Sequence, residues 1–162
     1  MFSKLSIQLK YSVVFLVALI MVVSGLLYGV QELKFKQLQN EAIAVANQVV
    51  SFRAWVAKSG VVWVDELSAD FHDFLSQRPK TEGDGFYFSK NPALATRELS
   101  TIVEKTSSRA TFRVTSDEYR NPANAPDTFE SGALKLFKED KEKKTSTAVE
   151  GGFYRYAQPI YV

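Results

Sequence analysis

A chain of 162 residues with 20 basic side chains, 18 acidic ones, a single histidine and no cysteine carries a thin kit for chemistry. Disulfides, thiolate nucleophiles, Cys-ligated zinc and thioether-linked cofactors are excluded within these residues, and multi-His metal sites or a Ser-His-Asp triad lack the imidazoles. All the acids and 18 of the bases follow Val30, so that portion is nearly neutral. The pI of 8.7 therefore gives no licence for nucleic-acid binding, which needs a basic field on one face.

Residues 1–10 read as a short cytoplasmic tail, with Lys4 and Lys10 and no acid. Tyr11 to Val30 carries no charge, and 12 of its residues are Val, Leu, Ile or Phe. About 20 apolar residues cross a hydrocarbon core of roughly 30 Å, so this block is expected to be a transmembrane helix. A cleavable signal peptide would have a core of about 7–15 residues and then small residues at a cleavage site. Here the core is longer and runs into Gln-Glu-Leu-Lys-Phe-Lys. The basic N-terminal flank places the N-terminus in the cytoplasm and the bulk of the chain outside it.

Residues 31–59 contain no Pro and no Gly. Phe35, Leu38, Ala42, Val45, Val49, Phe52 and Val56 follow at alternating spacings of three and four, an a/d seam that predicts a helical stalk. Gly60 supplies the stop. The seam begins beside the membrane, before any globular domain can cover it, so a coiled-coil homodimer is expected; packing against its own domain is the alternative. Span and stalk together form one nearly unbroken helix of roughly 45–50 residues, about 70 Å at the standard rise.

Residues 60–162 are expected to make one α+β domain, an antiparallel sheet flanked by helices. Val61–Val64 reads as a strand. Asp65–Gln77 reads as a helix with Leu67, Phe71, Phe74 and Leu75 on its apolar face, ended by Pro79. His72 falls beside that stripe, as a solvated histidine and only a weak metal candidate. Asp65, Glu66, Asp70 and Asp73 are expected on the helix's solvated surface. Thr81–Gly85 is a turn and Phe86–Phe88 an extended piece. Asn91 before Pro92 opens a helix whose buried face is Leu94, Leu99, Ile102 and Val103. Ala110–Ser116 is strand-like, and Arg120–Pro126 is a loop. Asp127-Thr128-Phe129-Glu130 resembles a capping box opening a helix with Phe129, Ala133, Leu134 and Phe137 inside, running out at Lys144. Lys141, Lys143 and Lys144 would suit the negative end of its dipole. Gly151-Gly152 is a turn, and Phe153–Val162 alternates as a final strand with Tyr154, Tyr156, Ile160 and Val162 on one face.

Four stretches carry a resemblance: Phe52 to Val64, Asn91 to Ser100, Phe112 to Ser116 continuing through Asn121 to Glu130, and Phe153 to Ile160. Together they resemble the PAS-like c-type haem sensor domain at the front of bacterial membrane receptors, among them histidine kinases, chemoreceptors and cyclic-dinucleotide enzymes. The resemblance implies a PAS-like fold and a sensory role in the inner membrane, with the domain in the periplasm. In that family a Cys-x-x-Cys-His segment attaches haem c shortly after the stretch that ends here at Val162. Residues 1–162 lack it, so covalent haem is implied only if such a segment follows; the expectation is a domain truncated at its C-terminus.

The expected function is thus the input portion of a single-pass, dimeric signal-transduction receptor responding to a small molecule or redox state, with no enzymatic activity and no cofactor in this chain as given. The alternative is a membrane-tethered, cytochrome-like electron carrier, which needs the attachment motif. Candidate ligand contacts are Arg97, Arg113 and Arg155, whose guanidinium groups suit carboxylates, with Tyr154, Tyr156 and Trp55.

Overall fold

The computed structural model of the chain describes residues 6–119 and 121–160. The elements run α1 (Ile7–Lys58), β1 (Val62–Val64), β2 (Ser76–Pro79), β3 (Phe86–Lys90), α2 (Pro92–Lys105), α3 (Thr128–Glu139), β4 (Ser146–Glu150) and β5 (Phe153–Ala157), with a short 3₁₀ turn at Pro122–Asn124. The chain divides into two compact units, Met1–Asn40 and Glu41–Val162.

The 52 residues of α1 cover both the expected span and the expected stalk. Ser6 Oγ accepts from the Leu9 amide at 3.4 Å, and the helix ends where Gly60 takes a positive φ of 82°. Within the first unit large apolar side chains are exposed: Phe15 is 71% exposed and Leu26 65%. The helix is long and apolar enough to cross a membrane.

In the second unit, β1, β3 and β2 form an antiparallel sheet in that order, with Trp63 opposite Ser89 and Arg78 opposite Tyr87. β4 and β5 form a separate hairpin. The expected single sheet is therefore two small ones. The buried apolar residues described are Val49, Val56, Ala133 and Phe137. Four polar ones accompany them: Ser89, Lys90, Thr96 and Glu130. Each carries hydrogen bonds, as burial demands.

Several expectations change. The segment Asp65–Leu75 is irregular rather than helical. Its backbone groups have better partners elsewhere: the Leu75 amide donates to Ser89 O at 2.8 Å, and the Phe71 and Asp73 carbonyls accept from Lys90 Nζ at 3.1 and 3.2 Å. Phe74 packs on Phe88 instead of lining a helix stripe. Ser76–Pro79 then joins the sheet as β2.

Ala110–Ser116 belongs to no ladder; its groups bond locally, Thr115 Oγ1 to Asn124 O at 2.7 Å and Arg113 Nη2 to Ala125 O at 2.5 Å. On α2 the Asn91 cap forms as expected, accepting from Leu94 N at 2.9 Å. Ile102, however, is 47% exposed, and the fully buried position is Thr96. The capping box at Asp127 and Glu130 is complete. α3 stops at Glu139, because Asp140 ends it in extended backbone and the Glu142 amide turns back to Asp140 Oδ1, so the three lysines lie beyond the helix. β4 was not anticipated. Gly151 and Gly152 at φ 57° and 83° make the two-residue turn that pairs it with β5. β5 ends at Ala157, and Tyr161 and Val162 fall outside the described residues.

Candidate functional site

Arg113 and Arg155 meet at one buried carboxylate. Glu130 Oε1 lies 3.2 Å from Arg113 Nε and 3.9 Å from Arg155 Nη2, while its Oε2 accepts the Asp127 amide at 2.9 Å. Arg155 also bonds Asp127 Oδ2 at 2.6 Å and Glu150 Oε2 at 3.2 Å, and its guanidinium sits 4.5 Å over the Phe129 ring. The capping box makes this possible: it turns both α3 carboxylates toward the strand that bears Arg155. The Glu130 amide, and then Arg155, hold the Asp127 carboxyl below the usual carboxylate range. The same Asp127 carboxylate raises Arg155 above its ordinary value. These arginines are thus engaged with the chain's own carboxylates, tying the hairpin to α3.

Tyr154 and Tyr156 lie on the face of β5 opposite Arg155. Tyr156 donates to Gln158 Oε1 at 2.9 Å, and burial raises its hydroxyl above the ordinary value.

Arg97 stands elsewhere, in a cleft of about 280 Å³ that it shares with His72. It pairs with Asp73, while Lys105 pairs with Asp70 at 2.8 Å. Beneath them Lys90, 7% exposed at its side chain, pairs with Glu98 and holds the Phe71 and Asp73 carbonyls. The four carboxylates expected on a helix surface are therefore not on a helix, and two of them fasten the irregular segment to α2. Sequence reasoning missed Lys90, Glu98 and Glu130 as organising charges; only Glu130 carried a visible signal, its place in the capping box.

Trp55 is 59% exposed on α1, its ring 6.2 Å from that of Phe52. Nearby Arg53 reaches α2, donating to Thr96 Oγ1 at 3.3 Å and Pro92 O at 3.5 Å; burial lowers its pKa. Val56 is fully buried and Val49 nearly so, which commits that half of the seam to its own domain. Between α1 and α2 an apolar groove of about 330 Å³ remains.

The residues do not fit a haem. Thioether attachment needs cysteines, which the sequence lacks, and the one imidazole is an exposed His72 in a cleft with Asp70, Asp73 and Glu98, a polar environment for a porphyrin. No group of three or more metal-ligating side chains occurs among the described residues. The six candidate ligand residues are likewise not assembled into one site: Arg113 and Arg155 come together, and Arg97 and Trp55 stand on other elements.

Neither curated proteins nor solved structures gave a match. A family model described as Tll0287-like (Tll0287) matches residues 31–162, the stalk half of α1 and everything after it. The chain belongs to the Tll0287-like family, a family of c-type haem sensor domains.

Proposed function

We propose that the chain is the input portion of a single-pass bacterial membrane receptor, with a PAS-like domain on the periplasmic side and a second copy paired along the stalk. The observation that carries this reading is α1 itself. One helix holds an apolar stretch fit for a bilayer and, further along, the residues on which the family domain packs. A change in the domain that moves Val49 or Val56 therefore moves a helix leading to the membrane, and small helix shifts are an established way to pass a signal.

No catalytic role is proposed. Among the described residues the charged side chains around Lys90, Arg97, Arg113 and Arg155 pair with the chain's own carboxylates. Covalent haem is not assigned to residues 1–162, so the electron-carrier reading has no donor set here to support it.

Cysteine cross-linking in native membranes tests the proposal, since the chain has no cysteine of its own. Leu38→Cys, at a 45% exposed seam position, should give covalent dimers on oxidation. Val56→Cys, at a buried position, should give none. Absence of dimers from Leu38→Cys and from neighbouring seam positions would remove the paired receptor.

A further inference from the structure

We propose that the groove between α1 and α2 is a binding site for a small, uncharged, largely aromatic or alicyclic molecule bearing one carbonyl or similar hydrogen-bond acceptor. This rests on the sensor reading and gives it a ligand class. The volume of about 330 Å³ falls within the range of small-molecule pockets. α1 supplies Val45, Val49 and Phe52, and α2 supplies Leu99 and Val103. The far wall is Phe112, from the irregular segment that failed to become a strand.

No charged side chain lines the groove, so an ion would lose its hydration for nothing in return. No imidazole, thiol or thioether lines it either, which leaves haem iron without a ligand there. The polar groups are Gln48 and Ser108. Ser108 Oγ already donates to Ala110 O at 2.8 Å, so the Gln48 amide is the group left to donate to a ligand. A second copy's stalk fits less well. The groove is walled by three segments of one chain, and Val49 at its floor is already 92% covered, being 8% exposed. An occupant would touch both the family domain and the helix that leads to the membrane.

The test uses benzophenone, two apolar rings joined by a carbonyl and photoreactive toward nearby C–H bonds, with the full chain in lipid nanodiscs. Peptides covering 45–52 and 99–112 should label saturably. Val103→Trp, which fills the groove, should cut that labelling at least tenfold while labelling of the 11–30 peptide stays unchanged as an internal reference. Gln48→Leu, which leaves the packing in place, should raise the half-saturating concentration about fivefold, the worth of one neutral hydrogen bond. Labelling confined to 11–30, groove labelling that rises linearly without saturation, or groove labelling unaltered in both variants overturns the proposal. Groove peptides cross-linked to the stalk of another chain overturn it in favour of a second copy. Labelling reads occupancy with no signalling output, so its failure is distinct from failure of the receptor reading, which the seam cross-links judge.

Discussion

Two stretches of α1 carry the same kind of apolar residue and meet opposite fates. Val49 and Val56, one heptad apart, are 8% and 0% exposed, whereas Phe35 and Leu38 on the same seam are 43% and 45% exposed, and Phe15 in the charge-free block is 71% exposed. Periodicity says which face of a helix is apolar; it does not say what covers that face. Around Val49 and Val56 the cover is the chain itself. Toward the N-terminus, on our proposal, lipid and a second copy supply the cover.

Loss of the domain's own buried fastening should cost the most. Lys90→Met leaves the Glu98 carboxylate, 14% exposed, without its cation and the Phe71 and Asp73 carbonyls without a donor. Removing one partner of a buried pair costs about 3–5 kcal/mol. Urea unfolding followed by tryptophan fluorescence should show a loss of that size, while Lys105→Met, at the exposed pair with Asp70, should change nothing measurable. Equal effects at the two sites would mean that burial does not distinguish them.

Next comes the apolar block. Val17→Arg places a charge near the bilayer centre and should cost roughly 2.5–3.5 kcal/mol of insertion free energy, read by glycosylation mapping of translocated chains. Unchanged insertion would argue that this stretch does not span.

Within the seam, Val56→Ala should cost roughly 2 kcal/mol of domain stability through lost burial and a residual cavity. Leu38→Ala should leave that stability alone and weaken dimer cross-linking instead. The same denaturation curves report both, and a reversed ranking would invert the account of which half is self-covered.

The smallest effect is electrostatic. Asp127's folded pKa lies below its ordinary value, so its contribution is complete above the usual carboxylate range and fades as pH falls through the lower folded value. Its side chain is 46% exposed, which keeps the effect modest. Thermal midpoints of the wild type should fall relative to Asp127→Asn as pH drops below about 4; parallel curves would detach the Arg155 cluster from stability.

Much of the architecture was legible in the residues, because local chemistry dictates it. Asn91-Pro92 and the Asp127–Glu130 box each place a helix start by satisfying orphan amides, and both formed. What was not legible depended on distant partners. Asp65–Gln77 has a helical apolar stripe, yet Ser89 and Lys90, more than ten residues on, offer its backbone other hydrogen bonds. Ala110–Ser116 alternates like a strand, yet joins no ladder among the described residues and bonds to the Asn124 and Ala125 carbonyls instead. β4 looked unremarkable until Gly151-Gly152 folded it onto β5. Of the candidate ligand residues, the arginines pair with carboxylates of the chain itself, Glu130, Asp127, Glu150 and Asp73, which no local pattern marks as their partners.

On our proposal a single span separates the N-terminus from a domain exposed on the opposite side of the membrane. A chain without cysteine allows this to be read from one engineered thiol at a time. In intact spheroplasts, a membrane-impermeant maleimide should modify Thr145→Cys, at an exposed position before β4, and should reach Ser6→Cys only after lysis. Modification of Ser6→Cys alone before lysis, or protection of both thiols until lysis, would contradict the account.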